Sequence, residues 1–467
     1  MAEAYKEIYN YISVFFILYL MGYATFLFLS VTVGTYTLYK QKKAAILNNK
    51  LEDDYYIPVS IIVPAYNEEI TIVETIKSLL ALNYTLYEII VVDDGSKDDT
   101  SKVVIDSFNM HYINKPIIKQ IDCQDVIHIF ESTQYKVPLT LIKKKNGGKA
   151  DALNMGINAS KYPYFICMDA DSVLQYDSLE KIVKPVIEND NVVAVGGVVR
   201  PCNDMQIKNG KVTKYRMPKN LLASMQVLEY DRSFLASRIL FDKFNGNIII
   251  SGAFGLFHKK TVISVGGYDK NTMGEDMELV VKLHVFCRKF NKKYNIKYAS
   301  DAICWSQAPE KLKDLCKQRK RWHIGLFQTM LRHRTMFFNI KFGFVSMISY
   351  MYFLLYELLS PYIEIFGLIT VIPAIYFNFI NFSYMIFFFL FYALYAALMS
   401  LTAFFARCQT MDLTLSIKDI LKAVLLCFFE ITFLRTRIAF VRGTALIGYK
   451  KKKKDWGRIE RKKIDLK

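Results

Sequence analysis

Three short acidic clusters each stand directly after an apolar, β-branched run. PAYNEE (64–69) follows 59–63, DDGS (93–96) follows 88–92, and DAD (169–171) follows 164–168. Acids gathered at one edge of a sheet repel one another unless a cation or hydrogen-bond donors compensate. A hard divalent ion, Mg²⁺ or Mn²⁺, held through one or two carboxylates plus substrate phosphates meets that need. Any one such cluster is equally what a turn or a helix cap uses. Three at successive strand ends favour the ion.

Basic and glycine-rich segments complement the acids. NGGKADALN (146–154) is a glycine turn leading into a helix, with Lys149 at the turn, suited to a phosphate met by backbone N–H groups and a lysine. The Walker pattern GxxxxGK[ST] does not occur. SGAFG (251–255) precedes MGEDMELVVKLH (273–284), in which Asp276 opens an amphipathic helix and either caps it or acts as a base toward an acceptor hydroxyl. QRKRW (318–322) sets Arg319, Lys320 and Arg321 beside Trp322, a pattern that also suits a basic cluster with a belt aromatic at a membrane surface.

The elements that must position these groups alternate in type. A strand at 59–63, a helix at 70–80 with Val73, Ile76 and Leu80 on one face, and a strand at 88–92 form a βαβ unit. Such a unit implies a parallel sheet covered by helices on both faces, with ligands outside the carboxyl ends of the strands. The segment 108–140 carries no assignable motif.

The chain has 467 residues, is 52% hydrophobic, and bears a formal charge of +18. Disorder and collagen-like repetition are excluded by that apolar content with 21 Gly and 11 Pro. Apolar and basic residues are sorted along the chain. Residues 11–39 hold no charged side chain, and about 20 apolar residues suffice to cross a bilayer. A cleaved signal peptide has a shorter apolar run and a small-x-small site, which is not evident here. Lys40, Lys42, Lys43 and Lys50 follow the span, placing the next segment in the cytosol.

A second apolar block, 342–406, has only Glu357 and Glu364 as charges. These two acids line a polar path or lie at the interface. Pro361 and Pro373 are expected to kink or interrupt helices, and a turn is expected at 378–381. The shorter segment 423–434 contains Glu430, and 435–467 carries 13 Lys/Arg against 3 Asp/Glu, suiting an anionic cytoplasmic leaflet. Nucleic acid is not implied, since no recognised motif accompanies the charge. With both the middle segment and the tail cytosolic, two or four C-terminal crossings are expected. Eight cysteines without CxxC spacing fit a reducing compartment, and six scattered histidines offer no zinc cluster.

Taken in order, PAYNEE, DDGSKDDT, NGGKADALN, MDAD, SGAFG, GED and QRKRW resemble the motif set of the family-two glycosyltransferases with a GT-A catalytic fold. Within them the set is most similar to the processive membrane synthases of poly-N-acetylglucosamine, hyaluronan, chitin and cellulose. The resemblance covers roughly 55–335 and departs at GED, where many relatives have TED. It implies an α/β, Rossmann-like cytosolic domain at 51–335, behind a membrane anchor at 1–50 and followed by membrane and interfacial helices at 336–440 and a basic cytosolic tail at 441–467.

The resemblance also implies roles. Pro64, Tyr66 and Glu68 match the uridine-contacting loop, and Asp94 matches the uracil-reading aspartate. Lys149 matches a diphosphate contact, Asp169 and Asp171 the metal-binding DxD, with Asp171 the more direct ligand. Asp276 matches the general base, while Gln318, Arg321 and Trp322 match the motif holding the acceptor end and the pyrophosphate. The partners implied are a UDP-sugar donor, by preference UDP-N-acetylglucosamine and then UDP-glucose, a polysaccharide acceptor, membrane lipids and accessory export subunits. A single-addition transferase and a non-catalytic nucleotide-binding scaffold remain open as alternatives.

Overall fold

Uninterrupted β-branched runs need burial on both faces, and the first two strands obtain it. In the computed structural model, which describes residues 2–48, 56–208, 210–411, 413 and 415–449, all residues of β1 (Val59–Ala65) and β2 (Tyr87–Asp93) are buried. They pair in parallel, Val59 opposite Tyr87, as the βαβ expectation requires. Further strands are β3 (Met110–Ile113), β4 (Val126–Ser132), β5 (Leu139–Lys144), β6 (Tyr164–Cys167), β7 (Val173–Leu174) and β8 (Val192–Pro201). A separate hairpin of β9 (Gln206–Lys208) and β10 (Lys211–Lys214) is followed by β11 (Gly255–His258) and β12 (Asn295–Ser306).

The 10-stranded sheet has the order β3-β4-β5-β2-β1-β6-β11-β8-β12-β7. It is mixed rather than all-parallel. β11 runs antiparallel between β6 and β8, and β3 and β4 extend the far edge antiparallel. The motif-free segment 108–140 supplies that edge. Its strap at 120–121 is tied to Asn158, whose Oδ1 accepts from the N–H groups of Gln120 and Ile121 at 3.0 Å.

A long helix, α1 (Ala2–Asn48), precedes the sheet. Around the strands lie α2 (Ile72–Leu80), α3 (Thr100–Ser107), α4 (Lys149–Ala159), α5 (Ser178–Glu188), α6 (Leu221–Glu229), α7 (Ser237–Asp242), α8 (Lys259–Ser264) and α9 (Glu275–Lys289). Alternation of side chains along the strands divides the core in two. Ile61, Val63, Ile89 and Val91 pack with α2, α3 and α5, whereas Ile62, Ile90 and Val92 pack with α4 and α9. A Cβ on Gly156 of α4 would come within 2.3 Å of Ile62 Cγ2. Only glycine permits that approach, which sets where the N-terminus of α4 meets the sheet edge.

From α10 (Leu312–Arg332) the chain passes through wide, π-type turns at Val345–Tyr350 and Phe353–Leu358 into α11 (Ser360–Tyr376), then α12 (Phe382–Thr410). Pro361 occupies the first turn of α11, where a missing N–H costs nothing, and Pro373 lies inside α11 without ending it. The expected turn falls at 377–381, with Asn381 capping α12. Among the described residues, two helices are long and apolar enough to cross a membrane, Lys6–Ala44 and Phe382–Thr410. The pair Val345–Leu358 and Ser360–Tyr376, bent by 47°, makes up to three if it forms one span. On that count two of the candidate spans follow the sheet.

The last described elements are α13 (Ile417–Phe429), a wide turn at Glu430–Leu434, and α14 (Arg435–Gly443). The segment expected as a tail from 441 begins with residues that pack. Ala445 is buried with Met273 and Ile324, and the Tyr449 ring lies 5.6 Å from Phe327, because this stretch is apolar enough to pack beside α9 and α10. The basic run 450–467 lies outside the described residues.

Candidate active site

The PAYNEE and DDGSKDDT loops lock together through their polar side chains. Asn67 adopts a left-handed φ of 57°, and its Oδ1 accepts from Lys97 N at 2.8 Å. Ser96 Oγ accepts from Asn67 N at 3.0 Å, and Thr100 Oγ1 from Glu68 N at 2.8 Å. The Glu68 carboxylate in turn accepts from Thr71 Oγ1 at 2.8 Å. This leaves the Tyr66 ring, 44% exposed, open to the cavity beside Pro64.

Asp94 is buried at the end of β2 and clamps the glycine turn. Its carboxylate accepts from Gly147 N at 3.0 Å, from Gly148 N at 2.7 Å, and from Lys144 Nζ. Lys144, wholly buried, also meets Asp151 at 2.7 Å. Burial pushes the Asp94 carboxyl up, with Lys144 and the two glycine N–H groups opposing. The expected phosphate cradle of backbone N–H groups is therefore altered: those of Gly147 and Gly148 are spent on Asp94. Gly148, at φ 90°, needs its lack of a Cβ to make this turn.

Beyond the turn, Lys149 reaches the acids of two other elements. Its Nζ bonds Asp169 Oδ1, after β6, and lies 3.7 Å from Glu275 Oε1 at the start of α9. Burial opposes its charge, but Asp169, Glu275 and Asp276 outweigh that and hold the ammonium above its ordinary range. Burial also raises Glu275 to about 7, against the pull of Lys149 and with Asp276 adding to the rise. Asp276 is half-buried, and its two oxygens accept from Gly252 N at 3.2 Å and Met277 N at 2.8 Å. Asp276 therefore stands in the first turn of α9 and lines the cavity, while the cap position itself belongs to Gly274, with no side-chain cap bond.

The DxD pair offers oxygen donors only, as a hard divalent ion prefers. Among the described residues no group of three or more His, Cys, Asp or Glu could hold a metal by itself. The residues fit an ion that takes its remaining ligands from diphosphate and water. The Lys149 ammonium against Asp169 marks this edge as one that accommodates a cation.

The start of α9 and the middle of α10 touch backbone to backbone. A Cβ on Gly325 would lie 2.7 Å from Gly274 N, so two glycines bring GED against the QRKRW helix. Gln328 Oε1 secures the approach by accepting from Met273 N at 2.9 Å. Within QRKRW, Arg319 stacks over the Trp322 ring at 4.5 Å and pairs with Glu229 of α6 at 2.6 Å. Gln318 Oε1 is buried without a hydrogen-bond partner among the described residues, and Gln318, Arg321 and Trp322 all line the cavity. Glu229 and the pairing role of Arg319 had no signal in the sequence beyond the motif itself.

The cavity has a volume of about 1720 Å³ and is lined by every site residue expected from the sequence, Asp171 included. Past Trp322 it continues among the elements from 352 to 364 and 430 to 442. Glu357 pairs with Arg442 and Glu364 with Arg435, each at 3.2 Å, and Arg232 forms a two-point pair with Glu430. Both Glu357 and Glu364 line this cavity. The spacing of seven between these acids, repeated between Arg435 and Arg442, was a usable signal for the pairing.

The family described as glycosyl transferase family group 2 matches residues 164–401, just over half the chain. The chain belongs to the family-two glycosyltransferases. The model of glycosyl transferase family 2 also matches this glycosyltransferase at residues 60–120. It is 32% identical over 275 residues, 59% of its length, to a poly-beta-1,6-N-acetyl-D-glucosamine synthase of Staphylococcus epidermidis, and covers 56% of that relative. To the synthase of the same description from Staphylococcus aureus strain COL it is 30% identical over 320 residues, covering 67% of this chain and 66% of the relative. The match thus spans between half and two thirds of these relatives. A mannosyltransferase of Pyrobaculum calidifontis, solved with GDP-Man and Mn²⁺, shares the fold with a TM-score of 0.50 at 17% identity, over 92% of this chain and 98% of that one.

Proposed function

We propose that this glycosyltransferase is an inverting enzyme of the cell membrane that moves a sugar, N-acetylglucosamine by preference, from a UDP-sugar to a growing β-linked polysaccharide and extrudes it. The observation that carries the reading is the single cavity joining the Tyr66 loop, the DxD, Asp276 and Trp322 to a charge-paired arm among the membrane helices. The catalytic domain and tail are cytosolic, with the chain crossing the membrane more than once.

Pro64, Tyr66 and Glu68 surround the uridine. A carboxylate has about four lone-pair sites. Three on Asp94 are engaged, which leaves one for the uracil N–H. Lys149 and Arg321 meet the diphosphate. Asp171 and Asp169 hold Mg²⁺ or Mn²⁺, which when bound neutralises charge on the leaving group. Asp276, oriented by Gly252 and Met277, takes the proton of the acceptor hydroxyl as that oxygen bonds to C1 and the C1–O bond to diphosphate breaks. One displacement converts an α-linked donor into a β-linked product, with no covalent enzyme intermediate. Gln318 and Trp322 seat the acceptor sugar, Trp322 braced by Arg319 on one face.

The arm beyond supports a neutral, hydroxyl-rich chain rather than an anionic lipid acceptor. Arg200, Arg232, Arg319, Arg435 and Arg442 each have a carboxylate partner along this cavity, so their charge is already balanced. The test is incubation of purified protein with separately labelled UDP-sugars and Mg²⁺ or Mn²⁺, followed by linkage-specific hydrolases. Incorporation from UDP-N-acetylglucosamine into a β-linked product is expected; incorporation from no UDP-sugar would overturn the proposal.

A further inference from the structure

We propose that Lys149 is a built-in counter-ion of the acidic edge, occupying the cation position on Asp169 until a nucleoside diphosphate draws it away. Metal and nucleotide then load together, and metal alone binds poorly. The inference rests on the reading of Asp169 and Asp171 as metal ligands.

Three carboxylates from two elements, Asp169, Glu275 and Asp276, act on this one ammonium. Nζ bonds Asp169 and stands 3.7 Å from Glu275. On its other side the chain leaves room by using glycine: a Cβ on Gly252 would lie 3.3 Å from Nζ and 3.5 Å from Asp276 Cβ. Lys149 is therefore packed beside Gly252 and the acids while still lining the cavity. A divalent ion on Asp169 would meet this ammonium at close range, where like charges repel strongly. A diphosphate reverses the balance, because it offers the lysine another anion and supplies the ion with further oxygens. The side chains of Lys149 and Asp169 keep 22% and 32% exposure, so the lysine has open space to swing into.

Two simpler roles predict different behaviour. A purely structural ion pair would leave metal affinity unchanged when removed, and a lysine that only touches phosphate would change nucleotide affinity alone. The experiment is Mn²⁺ titration by electron paramagnetic resonance of the full chain in detergent, without nucleotide and with UDP. Without nucleotide, Lys149→Met and Lys149→Gln should bind Mn²⁺ about tenfold or more tightly than the unmodified protein, while Lys149→Arg should stay weak. With UDP the gap between the unmodified protein and Lys149→Met should close. Equal or weaker Mn²⁺ binding in both neutral variants without nucleotide would overturn the counter-ion role. Absence of Mn²⁺ binding to the unmodified protein even with UDP would instead sink the metal reading, and this inference with it. Measuring Lys149→Gln beside Lys149→Met keeps the result independent of how one side chain folds.

Discussion

The two ends of the cavity use the same residue types in opposite ways. At the sheet edge, Asp169, Glu275 and Asp276 all act on the ammonium of Lys149, and Glu275 is pushed up to about 7 by burial against the pull of Lys149 and, more weakly, Arg321. In the far arm, among the C-terminal helices, Glu357, Glu364 and Glu430 each have a guanidinium, in Glu357–Arg442, Glu364–Arg435 and Glu430–Arg232. The first end is left short of positive charge and so is suited to take up a cation with its diphosphate. In the second these pairs balance their own charge, which is what the proposed passage of a hydroxylated chain requires.

The largest expected effect is at the sheet edge. Asp276→Asn removes the proposed base but keeps an oxygen for Gly252, and transfer should fall about 10²–10⁴-fold while UDP binding by calorimetry stays unchanged. Retained turnover would move the base elsewhere. The far arm should respond in stability instead. The Arg232–Glu430 pair is 6% and 3% exposed, so Glu430→Gln strands a buried guanidinium and should cost about 3–5 kcal/mol in unfolding.

Glu275 sharpens the contrast through pH. Its folded value near 7 lies above the ordinary 4.5, so the folded protein keeps a proton there that the unfolded chain releases. That contribution is full below about pH 4.5 and is lost as pH rises through 7. Glu275→Gln should therefore match the unmodified protein near pH 4.5 and exceed it at pH 8, by an amount on the order of 3 kcal/mol, in thermal unfolding across that range. The smallest effect belongs to Glu364→Gln, whose pair with Arg435 is 30% and 27% exposed and should cost only about 1 kcal/mol.

What was legible in the sequence was what periodicity and order encode. The buried runs of β1 and β2, the anchor helix and the acids at strand ends all follow from local pattern. Mixed strand direction was not legible, because Gly255–His258 reads as an apolar strand whichever way it pairs. Nor were the partners of Asp94, since Lys144, Gly147 and Gly148 lie some fifty positions along the chain and meet it only once the sheet forms. Gly274 and Gly325 likewise look like ordinary glycines until the two helices touch. The resemblance identified Gln318, Arg321 and Trp322, yet the braces Arg319 and Glu229 depend on which face of α10 turns toward α6.

The central claim, that one cavity couples sugar transfer to a path for a growing chain, is tested most directly by product length. Purified full-length protein in lipid nanodiscs would be given labelled UDP-N-acetylglucosamine with Mg²⁺ or Mn²⁺, and the products separated by size. A ladder or a high polymer is predicted, absent in Asp276→Asn; addition of a single sugar only would contradict the account.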